Sequence, residues 1–152
     1  MANSAAVCNT FKRDLLNGLH AFGASVIRGA TTKDSFKGAL YLASASLGAS
    51  TTAYSGTGEV SGTNYTAGGV AVTNGTDPTL TSSTAHWTPT ASLSWTTVTL
   101  STAFDALLLY NDTAAGKNAV AVFTFGSQTV TAGNFSLTMP TDDDSTGLIR
   151  VA

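Results

Sequence analysis

At 152 residues the chain has the length of one domain with a core of its own. Its formal charge is −2 and only 11% of its residues are charged, so there is no basic stripe to neutralise phosphates, and nucleic acid is excluded as a partner. Polarity comes instead from Ser and Thr, more than a quarter of the chain, with 15 Gly between them, a composition that suits short strands joined by turns.

The scarcity of Lys and Glu is that of a surface made for assembly, because protein interfaces are depleted in both. Cys8 is the single cysteine, which rules out an internal disulfide framework. No apolar run approaches the roughly 18 residues of a membrane-spanning helix, so no membrane partner is expected. Residues 1–9, "MANSAAVCN", lack the basic and apolar regions of a signal peptide and read as a loose N-terminal arm. Residues 10–152 read as a single β domain.

Asn9 or Thr10 can cap a short helix in which Phe11, Leu15, Leu16, Leu19 and Phe22 fall near helical spacing, with Asn17-Gly18 as a stop. At two or three turns it must pack on something. The period then becomes alternating. In "DSFKGALYLA" Phe36, Gly38, Leu40 and Leu42 point one way, and Ser35, Lys37, Ala39 and Tyr41 point to an expected wet face. Glu59 to Gly69, "EVSGTNYTAGG", reads as an Ω-type connection anchored by Tyr65, with Gly62, Gly68 and Gly69 permitting positive φ or close approach. It does not run from a strand into a helix as a phosphate-binding loop must.

Val70 and Val72 alternate in "GGVAVTN", which Asn74-Gly75 and Asp77-Pro78 close, and Leu80 to Trp87 forms a weaker strand. In "SLSWTTVTLS" the inward set changes parity between Trp95 and Val98, which predicts a β-bulge at Thr96-Thr97. "FDALLLYN" is apolar at both parities, as in a central strand covered on each side. "AVAVFTF", "NFSLTM" and "GLIRV" follow, with breaks at Gly126, Ala132-Gly133 and Pro140. The predicted fold is mainly β, an antiparallel sandwich, an eight-stranded jelly roll with one short N-terminal helix.

Reactive chemistry is sparse. His20 and His86 are isolated in sequence, and no G-x-S-x-G elbow supports a hydroxyl nucleophile. Cys8 reads as a half-buried small hydrophobe. Asp142, Asp143 and Asp144 are the weak candidate ligands for Ca²⁺, against the simpler reading of a solvated turn. Trp87 and Trp95, with Tyr41, Tyr54 and Tyr65, offer either a sugar-stacking platform or core packing. Glu59 is the only Glu, so no carboxylate pair of glycosidase type includes it with a second Glu, and neither an enzyme nor a cofactor is expected.

The run "AYSGTGEVSGTNYTAGGVAV", then Trp95 followed by "VTLSTAFDALLLYND", "AVAVFTFGSQTVTAGNFSLTMP" and the final "LIRV" resembles, across nearly the whole chain, small structural proteins of tailed bacteriophages. One departure is Asn64, where that pattern has Gly; Asn tolerates the left-handed region and preserves the turn. The resemblance implies an auxiliary head protein, a cement or decoration subunit on the outer surface of the capsid. Its implied partners are the major capsid protein and itself, as a dimer or trimer. Tyr54, Glu59 and Tyr65 are the implied capsid-contact candidates. The alternatives are a tail, neck or fibre-anchor subunit, and a glycan-binding module on the virion.

Overall fold

The computed structural model describes residues 2–16, 18–23 and 33–152. These residues are mainly β, with two antiparallel sheets and one short helix. The strands are β1 (Ala6–Val7), β2 (Phe36–Leu42), β3 (Val70–Ala71), β4 (Thr79–Thr81), β5 (Thr84–Trp87), β6 (Leu93–Asn111), β7 (Ala119–Leu137) and β8 (Ile149–Val151). The first sheet runs β1-β7-β6-β2-β3 and the second β4-β5-β8.

The helix α1 spans Asn9–Leu16, and Gly18 beyond it adopts φ 65°; Asn17, the other half of the predicted stop, lies outside the described residues, as does the side chain of Leu16. Phe11 is buried, but Leu15 is 36% exposed and Leu19 and Phe22 lie past the helix end. The predicted stripe is thus divided between a helix and the turn after it. Phe22 stacks on Phe36 with centroids 4.5 Å apart and meets Trp87 at 4.8 Å, which joins the helical end of the molecule to both sheets.

The loose N-terminal arm is a correction. Asn3 donates to the Leu42 carbonyl and to Asp105, accepts from the Leu47 amide, and Ala6–Val7 pairs with Val122 and Ala121. A short polar side chain with both donor and acceptor satisfies three groups there, which holds residues 3–8 against the sheet. Met1 lies outside the described residues.

Strands β6 and β7 form a ribbon of 19 residues on each side, where four shorter strands were predicted. Gly126 and Ala132-Gly133 do not end a strand: extra residues are absorbed as shifts in register. The predicted bulge is present. Register slips between Trp95 and Val98, Thr97 adopts φ 53°, and Leu93, Trp95, Val98 and Leu100 are all buried. Repeated bulges bend the ribbon until its open end returns over its neighbour: a methyl group placed on Gly38 would lie 2.7 Å from Leu93 Cδ1. Residues 106–111 are buried throughout, as predicted for a central strand.

Leu80 to Trp87 folds as the hairpin β4–β5, turning at Ser82 with φ 54°. Leu80, Ala85 and Val151 share a row across the small sheet, as do Trp87 and Ile149.

The expected wet face of β2 is the second correction. Phe36, Gly38 and Leu40 point to the side of α1, while Ala39 and Tyr41, with partners Leu108 and Ala106, occupy the opposite side, and they are 0% and 1% exposed. Ser35 is exposed and Lys37 half-exposed as expected, but the side is dry at Ala39 and Tyr41 because residues 43–69 fold across it there. The Leu42 amide donates to the Gly58 carbonyl and the Val60 amide to the Leu40 carbonyl, so the segment extends the sheet edge that β3 leaves open.

Candidate functional site

Glu59 makes an isolated antiparallel bridge to Tyr41, which fixes its backbone at the edge of β2 and turns its side chain over the covered face. Its carboxylate is then filled. Oε2 accepts from the Tyr54 hydroxyl at 2.6 Å, and Oε1 accepts from the Tyr65 hydroxyl at 2.8 Å and the Gly68 amide at 2.7 Å. Tyr65 Oη in turn accepts from the Leu40 amide at 3.0 Å. The Tyr110 hydroxyl donates to the Gly68 carbonyl at 2.8 Å, the Tyr54 and Tyr110 rings stack with centroids 4.7 Å apart, and the Tyr41 hydroxyl donates to the Ser55 carbonyl. All four tyrosines of the chain therefore surround its only glutamate.

Tyr54, Glu59 and Tyr65 are brought together as a clasp, each of them half-buried. Each long polar side chain reaches inward, where a phenol can bury its ring and still find an acceptor. Tyr110 was missed because it sits in an apolar run that reads as core, 45 residues beyond Tyr65. The available signal was composition: one Glu, with Tyr five residues before it and six after.

Burial raises the pKa of all four phenols, and the nearby Glu59 charge raises them further; Tyr54 is pushed up to about 12. A phenol raised above its ordinary value near 10 stays neutral in the native state while the unfolded chain ionises. The associated stability is whole below about pH 10 and is lost as pH rises above it. In an alkaline titration, tyrosinate absorbance is expected to emerge together with loss of the strand circular-dichroism signal. Ionisation of all four tyrosines near pH 10 with that signal intact would contradict the clasp.

The remaining candidates separate. Cys8 is fully buried, with its thiol pushed up to about 11 by burial, so it packs as a hydrophobe. His20 is buried beside Phe11 and Asn111, with Asn111 Nδ2 3.1 Å from its Nδ1. His86 is not isolated: its Nδ1 lies 2.9 Å from Asp142 Oδ1 and its Nε2 3.1 Å from both Thr79 and Thr81 Oγ1. An ionised carboxylate only accepts, so Nδ1 carries a proton directed at Asp142. The imidazole ties the turn after Pro140 to the β4–β5 hairpin.

The three aspartates of that turn diverge. Asp142 faces His86, while Asp143 Oδ1 accepts the amides of Ser145 at 2.8 Å and Thr146 at 2.6 Å, which hold its carboxyl below the usual range. The Asp144 carbonyl accepts from Arg150. Among the described residues no group of three His, Cys, Asp or Glu side chains is arranged to hold a metal ion. Trp87 is 2% and Trp95 3% exposed, and Tyr41 1%, so these rings form core and do not supply the sugar platform.

A surface feature absent from the sequence reading lies at the seam between the sheets. Val7, Phe11, Leu15, Ile149, Arg150, Val151 and Ala152 line an open cavity of about 550 Å³. The exposed large hydrophobics among the described residues are Val7, Leu15, Leu80 and Val151: three border this groove and Leu80 continues the row of Val151. Contiguous apolar surface of this kind marks an interaction site more often than scattered residues do. No described helix is long and apolar enough to cross a membrane. In comparisons with known proteins, the chain matches no family model, no curated protein and no solved structure.

Proposed function

We propose that the chain is a structural subunit of a tailed-bacteriophage particle, a cement or decoration protein on the outer surface of the capsid. The observation that carries this reading from the geometry is the seam groove: apolar, open, and bordered among the described residues by one charged side chain, Arg150. It suits adhesion to another protein better than turnover of a small substrate. The phage assignment itself rests on the sequence resemblance, whose most specific block, Glu59 to Gly69, is the clasp.

A subunit that binds the assembled shell and not its separated parts adds its binding free energy against rupture. Bridging two capsomers makes pulling them apart cost that contact as well. The partners are the major capsid protein and further copies of the chain, the site of action is the virion exterior, and the chain is made in the host cytoplasm. A jelly roll is the finer sandwich type that belongs to this reading. Tyr54, Glu59 and Tyr65 act in it by shaping the loop that they clasp, while the groove residues make contact.

The test is stoichiometry against the major capsid protein in purified particles, by quantitative mass spectrometry. A copy number comparable to that of the shell protein is expected. A small fraction of it would favour the tail, neck or fibre-anchor alternative, and absence from particles would overturn the proposal. An enzymatic reading has one foothold, the Thr81–His86–Asp142 series, whose hydroxyl, imidazole and carboxylate follow the order of nucleophilic sites. Covalent labelling of Thr81 by a fluorophosphonate would favour it over the structural role.

A further inference from the structure

Among the described residues the outer side of β7 is open. β1 pairs with it only at Ala121 and Val122, so β7 is the working edge of the five-stranded sheet from Phe123 to Leu137. Among the described residues the strand pairings of that stretch are all with β6, on the inner side. Natural sheets protect such an edge with Lys, Pro, inward charge or bulges, and the end of the ribbon from Phe135 to Leu137 is the stretch without a bulge. Here no charged residue occurs between Lys117 and Asp142, nor on the flanking ribbon strand between Asp77 and Asp105, and Pro140 falls after the strand has ended.

Burial points to the same side. Leu93, Trp95, Val98, Leu100 and Phe104 of β6 are buried, whereas Phe123, Phe125, Val130, Phe135 and Leu137 of β7 are each only half-buried. Trp95, in register with Phe135, is 3% exposed and its Nε1–H has no acceptor among the described residues. A buried indole donor is ordinarily satisfied. Among the described residues an edge is thus unpaired, a core rim uncovered and a donor unmet in one region.

We propose that the outer edge of the end of β7, from Phe135 to Leu137, pairs antiparallel with the same residues of a second copy. Neutrality selects that occupant. A two-fold axis sets each residue near its own counterpart, so a charge close to the axis would meet itself. A different partner would impose no such neutrality and could use charge to be recognised. The register from Phe135 to Leu137 runs without a shift, which puts the axis nearest Ser136, and Ser, Thr and Asn side chains can pair laterally across it. This deepens the self-association part of the proposed function, but it concerns the chain alone and is tested without particles.

Sedimentation velocity of the purified chain is the measurement, with Ser136→Lys and, in case loss of the Ser136 hydroxyl bonds to Ser94 and Leu93 disturbs the strand, the exposed Thr138→Lys. A wild-type dimer is expected, with its dissociation constant raised at least about tenfold by either lysine. Amides on the β7 edge should exchange slowly in the wild type and fast in the variants. A wild-type monomer, a trimer, or a dimer indifferent to both lysines would overturn the proposal. So would a dimer dissolved by Leu80→Asp or Val151→Asp but not by the lysines, because the seam groove would then be the interface.

Discussion

Glu59→Ala is expected to cost about 3 kcal/mol of stability in denaturant unfolding, whereas Glu59→Gln costs about 1 kcal/mol. The difference follows from which oxygen serves which donor. Oε1 receives both the Tyr65 hydroxyl and the Gly68 amide, and Oε2 receives Tyr54 alone. Gln keeps one oxygen for the first pair and places its amino group against Tyr54, whose hydroxyl can rotate to accept. Ala leaves three donors without their acceptor, one of them a backbone amide with no freedom to reorient. Equal loss in the two variants, or less than about 1 kcal/mol for Ala, would mean that water serves these donors as well as the carboxylate does.

Gly69→Ala is expected to be comparably severe, on the order of 3 kcal/mol, because two penalties fall on one residue. Gly69 adopts φ +74°, and a methyl group there would lie 1.9 Å from the Gly38 carbonyl oxygen and 2.6 Å from Ala39 Cα. Those atoms are backbone of β2, which cannot rotate aside as a side chain could. The substitution therefore pushes the returning loop off the sheet edge at the point where β3 begins. Gly56→Ala is the control: its nearest neighbour is the Tyr54 hydroxyl at 4.0 Å, and it should fall within about 0.5 kcal/mol of wild type. If thermal and denaturant unfolding ranked the two alike, close backbone approach would not explain the glycine.

The bulge at Thr96-Thr97 was legible because parity is a local property: four apolar residues on two phases admit one solution if all are to be buried. The central strand was legible for the same reason. The ribbon was read as four strands because glycine marks a break in an ideal ladder, and whether a bulge absorbs it depends on the partner strand. Tyr41 was placed on a wet face because alternation reports two faces, not what lies over them. Its cover is a polar, glycine-rich segment with no hydrophobic period to announce it. Within the site, Tyr54, Glu59 and Tyr65 were legible as a group, but the hydrogen bonds that join them were not, because the pairing of hydroxyl with carboxylate depends on how the loop folds back on itself. Tyr110 and Asp142 needed tertiary proximity, since their partners lie far along the chain.

The pairing of Ala6–Val7 with Ala121–Val122 has a kinetic consequence. A strand near the start of the chain completes a sheet whose other member is made only after most of the sequence has been synthesised. The β6–β7 hairpin can form locally, β2 can then join β6, and the closing step must wait for a contact that spans most of the chain. Non-local closure of this kind is slow compared with hairpin formation. During synthesis β1 therefore emerges long before its partner exists, and folding of this sheet should be limited by the meeting of β1 with β7.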